Sequence, residues 1–318
     1  MEINDNIIKP GDNKIIKIRV GKLPSGTHIN IFAHVFRGKK PGKTILILGG
    51  IHGDEINGIE IIRSAIEKQY FDDLIKGTAI VIPLLNVYGF INFSREVPDG
   101  KDVNRSFPGS RTGSLAARVA NKLTKYILPH VDYIIDFHTG GDSRYNYPQI
   151  RYTKSCPEAK KLATVFNPPF IIEKPLIPKS LRKIANDLDI PIIVYEGGES
   201  TRLDDLAIKT GLKGIKNILS YLKMTKSKPV KQKEKPILIN KTSWIRSRDS
   251  GIFKHLVESG NFIHKNDVVG VLKDVLGNSS KNILAKRDAY IIGHNNAPVV
   301  NMGDALFNLG WYNERDKV

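Results

Sequence analysis

Four polar side chains stand at or near the ends of apolar segments, where they could do chemistry. His52 and Glu55 lie in the stretch GGIHGDEINGIE, His138 lies in DFHTGG and Glu196 lies in YEGGE. A zinc ion that performs hydrolysis takes three nitrogen or oxygen ligands from the protein and keeps one position open for water. His52, Glu55 and His138 supply such a set, and Glu196 remains available as the general base. The pattern therefore predicts a zinc-dependent hydrolytic site.

The elements that must position these side chains are short apolar runs rich in β-branched residues. Such runs are typical of strands buried on both faces, and they are TILIL, AIVIPLL, YIIDF and IPIIVY at residues 44–48, 79–85, 133–137 and 190–195. Helical spacing of apolar residues predicts helices over 55–68 and 114–128. The predicted fold class is therefore α/β, with a mixed, largely parallel sheet flanked by helices. His52 and Glu55 are expected to follow the first of these strands, His138 the third and Glu196 the fourth. Ligands bind beyond the carboxyl ends of strands in such sheets, so the four side chains can converge.

The ends of the chain differ from this central pattern. Residues 14–36 alternate apolar and polar types around a glycine-containing turn, which predicts a hairpin. A Lys- and Pro-rich segment at 224–238 predicts a linker. Beyond it, short apolar pieces separated by turn signals predict a smaller all-β, barrel-like module at 239–318, so that residues 1–223 would form the catalytic domain.

Composition limits the classes of function. The single cysteine, Cys156, excludes an intramolecular disulfide and a multi-thiolate metal site. The formal net charge is +17, but the lysines are mostly scattered. This favours an ordinary solvated surface first, a preference for anionic substrates second, and binding of nucleic acid least. No apolar run has the roughly 20 residues of a membrane span, and no signal peptide pattern is visible, so the expected location is the cytoplasm. A homo-oligomer is compatible with this composition.

A loop between the second and third predicted strands is dense in groups that bind carboxylates. It carries Arg95, Asp102, Asn104 and Arg105 within NFSREVPDGKDVNRSFPGS. Arginine offers a planar fork that pairs two oxygens at once, and asparagine adds a neutral donor. Idle surface residues are the alternative interpretation of this loop. Asp102 is more readily an orienting partner for an arginine or a brace for the loop than a chemical participant.

Several roles stay open at the level of the residues. A single His-x-x-Glu pair is weak evidence for metal binding, because such pairs are usually surface polarity on a helix; the combination with His138 and Glu196 gives the prediction its weight. Glu199 competes with Glu196 as the base but lies farther from the strand end. Asp136 either orients His138 or makes a buried structural hydrogen bond. Glycines at 49, 50 and 53 are expected to let the backbone turn sharply.

Four motifs in this order resemble a known family. HGDE, DVNR, DFHTGG and YEGG are similar to the motifs of the succinylglutamate desuccinylase and aspartoacylase family, over about residues 44–222. The resemblance implies a catalytic domain like that of zinc carboxypeptidases, followed by a β-module. It also implies roles for particular residues, as zinc ligands (His52, Glu55, His138), as general base and later proton donor (Glu196), as binders of the substrate carboxylate (Asn104, Arg105), and near the scissile carbonyl or the acyl-end carboxylate (Arg95).

The predicted function is a zinc-dependent amidohydrolase, a deacylase for a small, anionic N-acylated amino acid or a related compound, with one zinc ion per chain. Three alternatives stay open. The first is a metallocarboxypeptidase that trims peptides with the same ligands. The second is an esterase or a deacetylase for an amide that is not an amino acid. The third is a binding or regulatory protein in which the zinc is structural rather than catalytic.

Overall fold

The computed structural model describes residues 1–230 and 235–314. The helices are α1 (Ile56–Glu67), α2 (Val87–Ile91), α3 (Leu115–Tyr126), α4 (Pro157–Phe166), α5 (Leu181–Asp187) and α6 (Asp205–Tyr221), with short 3-10 turns at Val103–Arg105 and Leu128–His130. In the described part of the chain, no helix is both long enough and apolar enough to cross a membrane.

The strands are β1 (Glu2–Ile3), β2 (Asn6–Ile7), β3 (Asn13–Lys22), β4 (His28–Arg37), β5 (Lys40–Gly49), β6 (Lys76–Ile82), β7 (Tyr133–Gly140), β8 (Arg144–Tyr152), β9 (Phe170–Glu173), β10 (Ile192–Glu199), β11 (Ile237–Ile239), β12 (Lys241–Arg246), β13 (Gly251–His255), β14 (Phe262–Ile263), β15 (Val268–Lys273), β16 (Ser280–Leu284), β17 (Ala289–Asn295), β18 (Val299–Val300) and β19 (Ala305–Trp311). Helices are interspersed with strands from β5 to α6, and the described residues after α6 form strands. The predicted fold class is confirmed.

One mixed sheet organises the molecule. Its main path runs β12-β19-β17-β8-β10-β7-β5-β6-β4-β3. At its centre β10, β7, β5 and β6 pair in parallel, while β8 runs antiparallel to β10. The carboxyl ends of the four parallel strands therefore meet at one rim of the sheet, where the candidate residues are found.

The uninterrupted apolar runs are explained by helices on both faces of the sheet. Along β5, Leu46 and Leu48 pack on the face covered by α3 and α5. Ile45 and Ile47 pack on the opposite face against α1, α4 and α6. Successive side chains of a strand point to opposite faces, so a strand covered twice must be apolar at every position. Each fully buried side chain of this kind contributes about 1.5–3 kcal/mol.

The boundaries of the elements differ from the sequence prediction in ways that matter for the site. The N-terminal hairpin is confirmed, with β3 and β4 antiparallel. However, β7 and β10 continue to Gly140 and Glu199. His138 and Glu196 therefore lie inside their strands, and the prediction that they follow the strands was wrong. Backbone pairing can continue through polar residues because it uses only main-chain groups, so the end of an apolar run does not mark the end of a strand.

The C-terminal strands are joined to the main sheet. β17 pairs with β8 and with β19, and β19 pairs with β12, so the sheet continues across both regions of the chain. β11, which begins inside the predicted linker, pairs in parallel with β9. Residues 231–234 of that linker lie outside the described residues. A separate sheet of four strands, β16-β15-β13-β18, completes the C-terminal region around its own apolar cluster.

Candidate metal centre and active site

Three elements bring the candidate metal ligands together. His52 lies in the turn after β5, Glu55 is the residue before α1, and His138 lies in β7. Gly50 has φ +61°, a left-handed conformation that glycine adopts freely. Gly53 has a different reason, since a Cβ there would lie 2.0 Å from the backbone carbon of Gly89. One glycine thus permits the turn, and the other permits α2 to pack against it.

The donor atoms of these three residues converge. The Nδ1 atom of His52 lies 2.7 Å from Oε1 of Glu55, and Nδ1 of His138 lies 2.8 Å from Oε2. The two Nδ1 atoms are 3.2 Å apart. In a tetrahedral site with bonds of about 2.1 Å, neighbouring donor atoms are roughly 3.4 Å apart, so the group needs only small adjustments to hold an ion. His52, Glu55 and His138 are buried and could bind a metal.

Each imidazole is oriented by a carboxylate on its far side. Nε2 of His138 lies 2.9 Å from Asp136, and Nε2 of His52 lies 3.2 Å from Asp102. Because Nε2 of each ring faces one of these carboxylates, each Nδ1 faces Glu55, and on losing its proton it can present its lone pair to a metal ion. Asp136 therefore contacts His138, as required by the interpretation that Asp136 orients this imidazole. Glu55 is fixed further by the backbone N–H of Thr139, which donates to it at 3.2 Å.

The electrostatics of the cluster favour a cation. Burial by itself would raise the pKa of Glu55, yet His52 and His138 hold that pKa well below its usual range. Burial would likewise lower the pKa of His138, but Asp136 and Glu55 raise it well above the ordinary value. Positive charge at the two imidazoles therefore stabilises the negative charge of Glu55. A dication bound between the same three residues would supply that positive charge instead.

Glu196 sits beside His138, on the neighbouring strand. The two residues are register partners in the parallel pairing of β10 with β7. Arg151 donates to Oε1 of Glu196 at 2.7 Å, and Asn146 donates to Oε2 at 2.9 Å. An ionised carboxylate has about four lone-pair sites, so both oxygens can still accept a hydrogen bond from water. Its competitor Glu199 accepts from Asn296 at 2.6 Å and is not among the described residues that line the cavity.

The loop before the 3-10 turn brings Arg95 and Asp102 to the same place. Arg95 donates to Asp102 through Nη2 at 2.8 Å, and its Nη1 lies 3.3 Å from Oε1 of Glu55. Asp102 therefore contacts an arginine, as expected, and also His52. The side-chain oxygen of Asn104 accepts from the backbone N–H of Leu181 at 2.9 Å, which ties the loop to the start of α5.

A cavity of about 240 Å³ unites these groups. It is lined by all seven residues that the sequence singled out for chemistry, binding or metal (His52, Glu55, Arg95, Asn104, Arg105, His138, Glu196), together with others. Five of its lining side chains are arginines (Arg95, Arg105, Arg144, Arg151, Arg182). Burial and the nearby Arg151 lower the pKa of Arg182 to about 10. Burial and these two arginines lower the pKa of Lys174, behind them, to about 8. The positive charges oppose one another and favour an anion between them.

Sequence reasoning missed the contribution of β8 and of the C-terminal region. Arg144, Asn146 and Arg151 all come from β8, whose sequence RYNYPQIRY carries polar residues and a proline and so gives no apolar run. Trp244 of β12 also lines the cavity. The closely spaced arginines of β8 were the available signal, but only the pairing of β8 with β10 shows where they point.

A His-Glu-His group at the carboxyl rim of a mixed α/β sheet defines a class of site that can hold a metal ion beside a further carboxylate. The comparison with known protein families narrows this class to one family. Residues 41–222 match the succinylglutamate desuccinylase/aspartoacylase catalytic domain, and the chain belongs to this family.

Relatives agree with this assignment. The N-alpha-acetyl-L-2,4-diaminobutyric acid deacetylase of Halomonas elongata is 26% identical over 280 residues, which cover 83% of this chain and 81% of that protein. A succinylglutamate desuccinylase/aspartoacylase structure from Rhodobacter sphaeroides has a TM-score of 0.85 at 22% identity, covering 98% of this chain and 100% of the other. The product-bound ectoine utilization protein EutE (DoeB) of Ruegeria pomeroyi has a TM-score of 0.84 at 21% identity, covering 95% of each chain. Family membership and the deacetylase relative together support a hydrolase that acts on amides.

Proposed function

We propose that this chain is a zinc-dependent deacylase that hydrolyses the amide bond of a small, anionic N-acylated amino acid or related compound. The observation that carries the proposal is one cavity in which a His-Glu-His group, a separate carboxylate and five arginines meet. The His-Glu-His group alone would be compatible with many functions. The adjacent base and the excess of positive charge are what favour hydrolysis of an anion.

His52, Glu55 and His138 would hold the zinc ion. When bound, zinc supplies Lewis-acid polarisation of the amide carbonyl and lowers the pKa of a water toward about 7. Asp102 and Asp136 keep the two imidazoles in the tautomer that presents Nδ1. Because both carboxylates contact His Nε2 directly, we assign them as positioning residues for the ligands.

Glu196 moves the proton in this proposal. One of its carboxylate oxygens accepts a proton from the attacking water, and the same carboxyl group later donates it to the leaving amine. Arg151 and Asn146 each hold one oxygen, so the carboxylate cannot rotate away from His138 on the next strand. Glu196 would therefore accept the proton from water and donate it to the amine from one fixed position.

The arginines of the loop would bind and activate the substrate. Arg105 lines the cavity and is exposed, and Asn104 beside it uses its oxygen to bind Leu181, which leaves its Nδ2 group to donate to a substrate carboxylate. Arg95, next to Glu55, would stabilise negative charge that develops on the amide oxygen. Such preorganised donors contribute several kcal/mol in comparable sites because they need no reorganisation during the reaction.

The size of the cavity supports a small substrate. Its volume of about 240 Å³ is below the roughly 300–1,000 Å³ of sites for drug-sized ligands. Trp244 from the C-terminal region forms part of the wall, so that region narrows the space available. The substrate named for the Halomonas relative supports the N-acyl amino acid class. That compound carries a side-chain amine, whereas the arginines here favour a further carboxylate.

A matched panel of substrates tests this proposal. Purified, zinc-loaded protein is assayed with N-acetyl and N-succinyl derivatives of acidic, neutral and basic amino acids, and with a short peptide that has a free carboxyl terminus. We expect the highest kcat/KM for an anionic N-acyl amino acid and a rate that falls as salt is raised. Preference for the peptide would identify a carboxypeptidase instead, and hydrolysis of esters alone would identify an esterase.

Replacing Arg105 by alanine is expected to raise KM for an anionic substrate by about 10- to 100-fold, with little change in kcat. The substitution removes a charged hydrogen bond to a carboxylate that persists through the reaction, worth about 1.5–3 kcal/mol. Steady-state kinetics measure both constants. The control is Arg111→Ala, an exposed arginine of the following loop that is not among the lining residues. Equal KM values for the two variants would remove Arg105 from substrate binding.

Replacing Asp136 by asparagine is expected to weaken zinc binding by about 10- to 100-fold, because the amide can no longer stabilise the His138 tautomer through a charged acceptor. Competition with a chromogenic chelator measures the affinity. Asp205→Asn provides the control, since that carboxylate is 89% exposed on the first turn of α6. An unchanged affinity in Asp136→Asn would leave this carboxylate with a structural role only.

Domain boundaries, cellular location and assembly complete the proposal. We propose residues 1–223 as the catalytic domain, 224–238 as the connecting segment and 239–318 as the β-module. A cytoplasmic location and a homo-oligomeric assembly remain predictions from the sequence.

A further inference from the structure

A second group of metal-binding residue types lies in the C-terminal region, outside the cavity described above. His255 ends β13, Glu258 follows in the next loop, and His294 lies in β17. Their ligand atoms all lie within 4.8 Å of one another. We call these three residues the module cluster.

The geometry of the module cluster suits one cation. Nε2 of His255 lies 3.3 Å from Oε1 of Glu258, and Nε2 of His294 lies 4.0 Å from Oε2. The two imidazole rings are 4.3 Å apart between centroids. Donor atoms around a tetrahedral zinc ion are roughly 3.4 Å apart. A rotation of the Glu258 side chain, which is 71% exposed, can close the longer distance.

The orientation of His294 distinguishes this group from an ordinary surface ion pair. His294 is only 4% exposed. Its Nδ1 atom lies 2.7 Å from the hydroxyl of Ser259, and Tyr145 of β8 stacks on its ring at 5.3 Å. When Nδ1 donates to that hydroxyl, Nε2 keeps its lone pair and presents it to the other two residues. An exposed His-Glu contact alone would contribute little and would not need a buried, oriented third member.

We propose that His255, Glu258 and His294 form a second binding site for a divalent transition metal of the zinc type. Two imidazoles and one carboxylate suit zinc, nickel or cobalt better than calcium or magnesium, which prefer oxygen ligands. The three ligands leave a further position for solvent. The spacing His-x-x-Glu and a third ligand from a strand repeat the arrangement of His52, Glu55 and His138 on unrelated elements.

A metal at this place would connect the loop after β13 to the main sheet. β17 pairs with β8 so that His294 is opposite Tyr145 and Gly293 is opposite Asn146. Asn146 in turn donates to Glu196. Binding here would therefore stabilise the loop against the strands that also carry part of the candidate active site. Because a ligand that binds only the folded state raises stability, zinc in excess should raise Tm through this site as well as through the first.

Counting bound zinc tests the proposal. After dialysis against excess free zinc and removal of unbound metal, elemental analysis should give about two ions per wild-type chain and about one in His255→Ala or Glu258→Gln. The matched control is His264→Ala, a histidine of the same module that is 73% exposed and outside the cluster; it should retain the wild-type count. Both test substitutions are at partly or largely exposed side chains, so a folding failure is not expected, and circular dichroism checks this.

A second measurement separates the two sites. In His52→Ala protein, titration with zinc should show one remaining site, and adding His255→Ala should remove it. Ser259→Ala in the same background should weaken that site by about 10- to 100-fold, because it removes the group that orients His294. The proposal is overturned if His52→Ala protein binds no zinc, or if His255→Ala and His264→Ala bind equal amounts. Either result leaves the proposed deacylase intact, since its activity depends on the first site.

Discussion

Replacing Glu196 by glutamine is expected to lower kcat by about 10²- to 10⁴-fold, the contribution usual for a positioned general base. Glutamine has nearly the same shape and can accept from Arg151 through its oxygen. Its amide can face Asn146, whose own amide can turn to accept. The substitution therefore removes the proton acceptor with little disturbance of the site, and zinc content and Tm should stay close to the wild-type values.

The matched control for this change is Glu199→Gln. Glu199 lies three residues later on β10 and binds Asn296 of the C-terminal region. Its variant should keep most of the activity. If Glu199→Gln were as inactive as Glu196→Gln is expected to be, the base would have to be reassigned. A fully active Glu196→Gln protein would remove Glu196 from the mechanism.

Removing the metal with a chelator is expected to lower the deacylase rate by at least about 10³-fold, since the several kcal/mol supplied by the Lewis acid are lost. The fold should survive. His52, Glu55 and His138 come from elements that are packed by large apolar clusters on both faces of the sheet, and their side chains contact Asp102 and Asp136 as well as each other. Far-UV circular dichroism should therefore change little, and zinc should restore the rate.

Two variants make this experiment specific. His52→Ala should be inactive, and added zinc should not rescue it. His255→Ala, in the module cluster, should remain active after zinc is added back. Unfolding of the wild-type chain on chelation would indicate a structural metal and a binding protein, whereas full activity in metal-free protein would exclude a metal-dependent hydrolase.

The sequence was most informative where the same physical requirement applies to every residue of an element. A strand covered on both faces must be apolar at each position, so the strands β5, β6, β7 and β10 could be recognised from composition alone. The parallel arrangement places their carboxyl ends at one rim, and this is why His138 and Glu196 could be expected to meet although 58 positions separate them.

Elements without such a requirement were missed. β8 is the main example, because its alternation of polar and aromatic residues and its central Pro148 conceal a strand. Its antiparallel pairing with β10 brings Arg151 and Asn146 to Glu196, a contact between residues 45 and 50 positions apart. Trp244 was missed for a related reason, since a local sequence gives no information about which distant surface a side chain will face.

The order of amino acids was sufficient to predict the layered α/β core, the all-β nature of the C-terminal region and the residue types available for a metal and a base. These features follow from local rules, namely the period of apolar residues and the chemistry of each side chain. Contacts between distant segments establish which atoms of the imidazoles converge and which groups hold Glu196. They also establish that the C-terminal strands extend the main sheet and bring a tryptophan to the cavity. Those outcomes depend on strand pairing between distant segments, whose register is selected by the packing of the whole core rather than by any one segment.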